Sequence, residues 1–580
     1  MKKNKQIQSS LFFVLFFCIY FHGFDTELSA APRTGEATNP SVIIQQVCMD
    51  ANSISSWFIN TGVFNQDMRV SNTPGFMWPK GTGKFAIFTT GLCIAAYVNN
   101  DLRESMASYK GEFAPGYIVD SAGLPVARTN SWFKLYSVHS TDNENVPDWA
   151  NWGQMVPYGA PFKDVNNNGT YEPSIDKPGI DGAAQTIFVC LTDGFPAEHK
   201  IGEGFGGGTL PLYNEIHLTA WAYTTPGIED AQFIRWVVIN RSHTAWTKTY
   251  FTIFNDGDLG FPSDDYIACD TTLQLAITYN GDNMDGDGQG ITYGINPPAV
   301  GIQMLRSPIN KSVAPPVTLG MTACVYVTNS STQGPLCEKD PISDPTGAYN
   351  FMKGIKKDGT PWVVPPGGSQ NVTKYCYTGN PEAGYGWNEG IPGSPTGSIS
   401  NCGGPGVVNG TVVYVNPFGD RRNIICSGAD NFTVNPGDTQ LVVIAQMVQR
   451  GTSNLNSVTK LKQYANTIRT IYNNLFGIEP ISSNIPGTFT LSQNYPNPFN
   501  PTTKISFSIP LNKGGERGLS VVSLKIYDLL GQEVATLVNE RLKPGTYEIE
   551  WDGSNYPSGV YFYRLVRDEF SGSKKMILLK

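Results

Sequence analysis

The sequence predicts a mainly β protein, with a large β-sandwich and one late helix followed by a small immunoglobulin-like β-sandwich. Two observations support this fold class. The 580-residue chain contains 61 Gly, 40 Pro, 27 Tyr and 30 Phe, a composition that favours short strands joined by turns over helices. Apolar residues also alternate with polar ones in short runs, and this period of two marks strands with one buried face.

Residues 1–31 have the pattern of a cleavable secretory signal. Lys2, Lys3 and Lys5 form a positively charged start, and an apolar run from Leu11 to Phe21 follows. This run is shorter than the roughly 18 residues that a membrane-spanning helix needs, and small residues after it provide a cleavage region. We therefore predict export, with no transmembrane segment in the mature chain.

Residues 32–476 form the predicted large sandwich. Strand-like runs occur at 85–88, 92–98, 186–191, 216–223, 233–240, 250–254, 301–305, 322–328 and 441–449. The runs 233–240 and 250–254, separated by a polar loop, are typical of a hairpin. Residues 329–410 are dominated by Gly, Pro, Asn and Ser, which indicates a long loop-rich insertion.

One helix is predicted at about 454–476, where Ser453 or Asn454 can cap its start. Apolar residues then recur at steps of three and four: Val458, Leu461, Ala465, Ile468, Tyr472 and Leu475. Such a stripe predicts packing against the sandwich. Residues 477–489 contain two prolines and are the predicted linker.

Residues 490–580 contain alternating runs for about seven strands, the size of a small immunoglobulin-like sandwich. Specific motifs accompany the runs: Tyr495-Pro496-Asn497-Pro498-Phe499-Asn500-Pro501, Ile526-Tyr527-Asp528, Gly531-Gln532-Glu533-Val534, Gly545-Thr546-Tyr547, Trp551-Asp552-Gly553 and Gly559-Val560-Tyr561-Phe562. In this order they resemble the type IX secretion (Por) C-terminal sorting domain. The resemblance implies contact with the type IX machinery and export to the outer-membrane surface or the medium. It does not indicate what residues 32–476, the passenger, do there.

One candidate calcium loop begins at Asp164. Oxygen-bearing side chains at its first, third and fifth positions, with Gly169 at the sixth, match the first half of a calcium-binding loop. The second half does not match, because Ile175 stands at position twelve. The predicted ligands are Asp164, Asn166, Asn168, Glu172 and Asp176. The alternative is an Asx-rich turn that caps a hairpin.

Five carboxylates after the run 250–254 form a second candidate calcium group: Asp256, Asp258, Asp264, Asp265 and Asp270. They repel one another unless a cation or separation in space relieves them. The sequence therefore predicts calcium bridging two loops, with solvated loop acids as the alternative. Asp282, Asp285 and Asp287 form a weaker third group.

The common enzyme motifs are absent from the sequence. It contains neither His-Glu-x-x-His nor a Gly-x-Ser-x-Gly elbow. Residues 202–207 fit G-x-G-x-x-G, but a strand follows where a nucleotide-binding fold needs a helix. Glu215 and His217 share a strand face and could bind a metal or act as acid and base, but ordinary surface or loop placement is the favoured interpretation. The two carboxyl groups of a glycosidase are defined by their distance in space, so no spacing along the sequence identifies them.

The predicted function is a secreted or cell-surface component that binds or builds at the surface, with a surface glycan or protein as ligand. The alternative is a secreted hydrolase, a glycosidase more readily than a protease. A net charge of −8 without a basic run excludes a nucleic-acid partner. Six tryptophans in the passenger are interpreted as core residues rather than as a sugar platform: Trp132, Trp149, Trp152, Trp221, Trp236 and Trp246.

Nine of the ten cysteines remain after removal of the predicted signal, so at least one has no partner within the chain. Cys324–Cys337 and Cys376–Cys402 each flank a loop-rich stretch and are the suggested disulfides. No Cys-x-x-Cys is present, which argues against a zinc ribbon or a thioredoxin-like motif.

Overall fold

The computed structural model describes most of the chain after the first 42 residues. The described residues are 43–579, apart from 70–72, 167, 200–202, 287–290, 315, 330–334, 365–371, 390–406, 409–410, 413–417, 477–485, 511–519, 543, 554–555 and 568–569. The predicted signal and most of the predicted linker therefore lie outside the described residues.

Two large antiparallel sheets form the passenger, as the sequence predicts. The first sheet has the order Gln46–Met49, Ser56–Ile59, Val63–Phe64, Thr89–Val98, Thr247–Asp256, Arg421–Gly428 and Ala323–Thr328, with Asp101–Ser105 also paired to Thr89–Val98. The second has the order Ala114–Pro115, Gln185–Thr192, Asn214–Ala222, Ala231–Asn240, Thr439–Gln449, Ala299–Arg306, Leu275–Asn280 and Asp265–Asp270, with Tyr136–His139 also paired to Gln185–Thr192.

The central strands are buried on both faces. In Thr89–Val98, Leu92 and Ile94 belong to the core between the sheets, whereas Cys93 and Ala95 belong to a separate cluster on the outer face. Strand Thr439–Gln449 divides its side chains in the same way. Because alternate residues of a strand point to opposite faces, each sheet needs a cover on its outer side.

The outer cover of the second sheet is the helix Asn454–Phe476, so the predicted helix is confirmed. Val458, Leu461, Ala465, Ile468 and Tyr472 are all buried in one cluster with that sheet. Ser453 caps the helix, because its Oγ accepts the N–H of Asn456 at 3.0 Å.

The outer cover of the first sheet comes from the segment predicted to be a loop-rich insertion. It contains an α-helix that the sequence pattern did not indicate, Pro345–Met352, capped by Asp344. Tyr349, Phe351 and Met352 are buried against the sheet. The insertion thus contributes to a core as well as to the surface.

The predicted hairpin of 233–240 and 250–254 is wrong. Strand Ala231–Asn240 lies in the second sheet and Thr247–Asp256 in the first. Trp246, which is fully buried between the sheets, stands at the crossing, and its Nε1 donates to the Leu212 carbonyl at 3.2 Å. Between the two strands, the chain passes from one sheet to the other at this buried ring. The polar residues of the loop had instead suggested a hairpin within one sheet.

The C-terminal region is a seven-stranded sandwich, which confirms the predicted fold. One sheet has the order Thr490–Leu491, Thr502–Ile509 and Gly545–Asp552, and the other Glu533–Leu542, Ser520–Tyr527, Gly559–Arg567 and Phe570–Leu578. One apolar cluster that includes Phe507, Leu524 and Trp551 fills the space between them.

Short elements complete the described part of the chain. The remaining strand pairs are Gln66–Asp67 with Thr73–Pro74, Phe76–Met77 with Phe85–Ile87, Tyr117–Ser121 with Leu124–Arg128, Phe162–Lys163 with Lys177–Pro178, Met284–Asp285 with Gly294–Ile295, Ile309–Asn310 with Val317–Thr318, Trp362–Val363 with Val372–Thr373, and Val407–Val408 with Thr411–Val412. The short helices are Pro147–Ala150, Trp152–Gln154, Val156–Tyr158, Pro196–Glu198, Pro262–Asp264 and Leu336–Glu338.

The suggested disulfides are wrong, because Cys324 and Cys376 are free thiols. Both are buried in the passenger, at 3% and 1% exposure. Spacing along the chain gave no information about which thiols the two sheets would bury. Cys337 is not among the free thiols, so a disulfide at Cys337 stays a proposal.

Candidate functional site

The structure brings two of the five predicted acidic ligands together with a third from a distant strand. Asp256 ends its strand and pairs directly with Arg422 in the antiparallel register. Continuing that register by two residues places Asp258 opposite Asp420, on the same face. One carboxylate oxygen from each of Asp256, Asp258 and Asp420 lies within 4.8 Å of the others. We call these three residues the aspartate cluster.

Arg422 binds one side of the aspartate cluster. Its Nη1 lies 2.7 Å from Asp420 Oδ1, and its Nε lies 3.2 Å from Asp256 Oδ1. Nε also donates to the Tyr109 hydroxyl at 2.9 Å, which in turn donates to Asp256 Oδ2 at 2.6 Å. Asp340 Oδ2 is 3.8 Å from Nη1. A single guanidinium therefore lies within 4 Å of three carboxyl groups, Asp256, Asp340 and Asp420.

Burial raises the pKa of both Asp256 and Asp258 above the ordinary aspartate range. For Asp256, the opposing influence of Arg422 lowers the pKa only in part. For Asp258, the charges of Asp256 and Asp420 raise the pKa further. Desolvated carboxylates with too few positive partners favour protonation or a bound cation.

Of the other predicted members of this acidic group, Asp265 lies beside the cluster, where it accepts the N–H of Leu259 at 2.9 Å, whereas Asp264 and Asp270 have partners elsewhere. Asp264 accepts the N–H of Gly286 at 2.7 Å. In the weaker third group, Asp285 accepts the N–H of Phe261 at 2.8 Å, and Asp287 lies outside the described residues. Asp270 forms a partly buried ion pair with Lys462 at 3.2 Å. Sequence proximity therefore overestimated the group, and it missed Asp420, which only the strand register could have indicated.

The Asp164 loop folds back on itself as the glycine pattern predicts. Asp164 accepts the N–H of Asn168 at 3.2 Å and of Gly169 at 2.7 Å. Gly169 has φ +77°, a conformation that favours glycine. Asn166 and Asn168 both donate to Glu172 Oε2, at 2.7 and 2.6 Å. Two side-chain amides thus bind the Glu172 carboxylate.

Asp176 joins the two ends of the Asp164 loop through hydrogen bonds to its backbone. It is 1% exposed, and its two oxygens accept the N–H groups of Val165 at 2.9 Å and Glu172 at 2.7 Å. The five predicted ligands therefore belong to one hydrogen-bonded loop. These bonds also fit the alternative interpretation, an Asx-rich turn.

Glu215 and His217 contact each other, with His217 Nε2 3.2 Å from Glu215 Oε1. Arg241 donates to the same oxygen at 2.8 Å, and the Ile118 N–H donates to Oε2 at 3.1 Å. Burial raises the pKa of Glu215, but the hydrogen bonds from His217 and Arg241 outweigh it and the pKa is lowered. Glu215 is therefore held ionised in an ion pair. It is 2% exposed within strand Asn214–Ala222, so the surface or loop placement expected from the sequence is wrong for this residue.

The glycine-rich segment binds buried carboxyl groups rather than a nucleotide. Gly207 and Gly208 donate their N–H groups to Glu104 and Glu112, at 2.9 and 2.7 Å. A Cβ at Gly206, where φ is +63°, would lie only 2.4 Å from the Glu104 carboxylate. The glycines therefore allow close approach of the backbone to these side chains.

The tryptophans are mostly core residues. Trp149, Trp152, Trp221, Trp236 and Trp246 are each 9% exposed or less, whereas Trp132 is 42% exposed. This burial agrees with the packing interpretation and leaves one ring of the six accessible to a ligand.

In the C-terminal sandwich, the sequence motifs have structural roles. Asn494 donates its N–H to the Tyr563 hydroxyl at 2.8 Å and its Nδ2 to Thr503 at 2.9 Å. Asp528 accepts the N–H groups of Leu530 and Gln532 at the tip of a hairpin. These contacts link the opening motif to the core and fix the turn between two strands.

The C-terminal sandwich is similar to a known domain family. Residues 493–579 match the secretion system C-terminal sorting domain. The sorting domain indicates export by type IX secretion, to the cell surface or the medium, and interaction with that machinery. Among the described residues, no helix combines the length and apolar character that crossing a membrane requires.

No curated protein matches the chain. Among solved structures, similarity to a polysaccharide lyase has a TM-score of 0.17 and 8% identity, and covers 63% of this chain but 34% of the lyase. This chain thus spans about a third of that protein. Similarity to PorZ, described as a surface component of the type IX secretion system of Porphyromonas gingivalis, has a TM-score of 0.12 and 12% identity over 92% of this chain and 75% of PorZ. Neither likeness carries a functional argument.

Proposed function

We propose that this protein is a binding or structural component that type IX secretion delivers to the outer-membrane surface. The sorting-domain match at residues 493–579 is the observation that carries the proposal. The sandwich architecture of the passenger supports a binding role, because its rigid strands are connected by loops that can present ligand contacts. A surface glycan or a protein is the proposed ligand class.

Calcium is proposed as a structural ion of the passenger, bound by the Asp164 loop. Asp164, Asn166, Asn168, Glu172 and Asp176 offer only oxygen ligands, which suit this hard cation. The positive φ of Gly169 and the two backbone N–H groups that donate to Asp164 fold the loop, so that its oxygen-bearing side chains can surround one ion. The ion's contribution would be to hold this loop in one conformation for ligand contact.

A secreted hydrolase is the weaker alternative. Glu215, which the sequence offered with His217 as an acid and a base, is engaged by His217, by Arg241 and by the Ile118 N–H. The exported glycosidase hypothesis would need a pair of carboxyl groups about 5–10 Å apart across an open cleft. Because Glu215 is held in an ion pair, we favour the non-catalytic function.

Deletion of residues 482–580 tests the export function. The passenger has its own core between two sheets, so the truncated protein should fold but remain in the periplasm. Cell fractionation with limited proteolysis measures both outcomes. As the matched control, residues 482–580 fused to a periplasmic reporter should carry the reporter to the surface. Normal surface display of the truncated passenger would overturn the proposal.

A further inference from the structure

We propose that Asp256, Asp258 and Asp420 bind one calcium ion at the point where two central strands of the first sheet end. Their carboxylate oxygens lie within 4.8 Å of one another. Calcium binds oxygen at about 2.3–2.6 Å, so two ligands on opposite sides of an ion are at most about 5 Å apart. All three oxygens therefore fit around one ion. The proposal is independent of the Asp164 loop and of export.

A fourth carboxyl group beside the cluster has an oxygen without a donor. Asp265 is 1% exposed, and its Oδ1 has no hydrogen-bond partner within the described residues. Its Oδ2 accepts the N–H of Leu259, which follows Asp258, at 2.9 Å. Its main-chain carbonyl accepts the N–H of Gly419, which precedes Asp420, at 3.1 Å. Asp265 is thus attached next to two cluster members.

This unpartnered oxygen is a separate indication of a cation. A buried polar atom normally has a partner, because leaving it without one costs free energy. Hydrogen-bond donors satisfy Oδ2 of Asp265 but not Oδ1. A positive ion near Asp258 would offset the desolvation cost of this oxygen, either by direct electrostatic attraction or by binding a water that donates to it.

The charge balance supports the same inference. Arg422 lies within 4 Å of Asp256, Asp340 and Asp420. Asp258 has no ion pair or hydrogen bond in the described part of the chain. One guanidinium cannot neutralise these four carboxylates together with Asp265, and their mutual repulsion is strong in a poorly solvated site. A divalent ion reduces that repulsion where Arg422 does not reach.

Calcium fits this site better than magnesium. The ligands come from strand ends and a loop and so have no regular octahedral arrangement, which magnesium requires. Asp258 is only partly buried, so water can complete the six to eight oxygen ligands that calcium accepts. The ion would tie the end of strand Thr247–Asp256 to the start of strand Arg421–Gly428.

Terbium luminescence can test the site, with Tb³⁺ as the probe and calcium as the competitor. The Tyr109 hydroxyl donates to Asp256 at 2.6 Å, so its ring is placed to sensitise a bound lanthanide. The full mature chain with Asp164→Asn is used, so that the contribution of the Asp164 loop is weakened. We expect tyrosine-sensitised emission that calcium displaces.

Asp258→Asn should weaken terbium and calcium binding at least about tenfold, because a charged ligand is lost. The matched control is Asp270→Asn, which makes the same change on the same segment at a partly buried ion pair and should bind as the parent does. Equal affinity of the two variants, or no calcium-displaceable emission in the parent, would overturn the site.

Native mass spectrometry gives a second measurement that needs no cluster variant. Retention of one calcium ion by the folded Asp164→Asn chain supports the proposal, and retention of none contradicts it. Export of the protein is measured separately, so failure of this site leaves the export function unaffected.

Discussion

At the scale of single residues, buried carboxyl groups are the most unusual feature of the passenger. Glu112 is 1% exposed and accepts the N–H groups of Met106 and Gly208. His199 Nδ1 lies 3.6 Å from its Oε2. Burial, the largest cause, and the charges of Glu203 and Asp193 together raise the pKa of Glu112 to about 8, although the two backbone hydrogen bonds lower it in part. Glu112 therefore holds a proton at neutral pH.

This shift predicts that stability falls as the pH rises. Because the pKa of Glu112 is higher in the folded chain than the ordinary 4.5, its contribution is complete below about pH 4.5 and is lost as the pH rises through about 8. We expect the free energy of unfolding to drop by roughly 5 kcal/mol across that window, because each pKa unit corresponds to about 1.4 kcal/mol. Urea unfolding at a series of pH values measures it.

Glu112→Gln should reduce this pH dependence, because the amide carries no charge at any pH. The control Glu144→Gln changes an exposed residue and should leave the slope unchanged. Parallel pH profiles for the wild type and Glu112→Gln would contradict the assignment. His199, Asp193, Glu203 and Glu104 also face this region, so a residual slope in the variant is expected.

At the scale of elements, strand register assembles what the linear sequence separates. Pairing of Asp256 with Arg422 brings Asp258 and Asp420 together, although about 160 residues lie between them. The Asp164 loop is the opposite case, since its ligands are close in sequence and its turn is local. Local loops can be predicted from spacing, whereas sites between strands require the sheet order.

The Asp164 loop should bind calcium and stabilise the passenger. An ion that binds only the folded chain adds about 2.7 kcal/mol at a free concentration of about a hundred times Kd. Chelation should therefore lower Tm, and calcium should restore it better than magnesium does. Calorimetry with and without chelator measures the effect.

Asp164→Ala should remove much of this calcium response. The control Asp181→Ala changes a nearby aspartate whose side chain is 63% exposed and pairs with Lys163; it should respond to calcium as the wild type does. An identical wild-type Tm in chelator and in millimolar calcium would mean that the loop is an Asx-rich turn. The same result would also argue against the aspartate cluster as a calcium site.

At the scale of the whole molecule, the passenger consists of two sheets with a helix on each outer face. The 23-residue helix Asn454–Phe476 covers one sheet, and the helix Pro345–Met352 helps to cover the other. Cysteines follow this layering, because most of the described thiols are buried. Burial protects them from oxidation in an exported protein.

The cysteine arrangement predicts seven free thiols in the mature protein. Seven described cysteines are free, and removal of Cys18 with the predicted signal leaves Cys337 and Cys402 as the remaining pair. Alkylation of the denatured, unreduced protein should therefore label seven cysteines, and non-reducing peptide mapping should join the other two. Reduction before alkylation is the control and should give nine labels. Nine labels without reduction would exclude the disulfide.

The sequence alone determined the features that depend on local patterns. Alternation with a period of two predicted the strands, and the apolar stripe at steps of three and four predicted the helix from Asn454. The motifs between Tyr495 and Phe562 predicted the sorting domain that the family match supports. Each of these signals lies within a few tens of residues, so the chain order itself contains it.

Only the tertiary structure decided which distant residues meet. It placed Ala231–Asn240 and Thr247–Asp256 in different sheets, left Cys324 and Cys376 unpaired, and joined Asp420 to Asp256 and Asp258. These outcomes depend on strand order and on burial of side chains such as Trp246. Contacts across a sheet join residues far apart in the chain, and composition and spacing do not specify them.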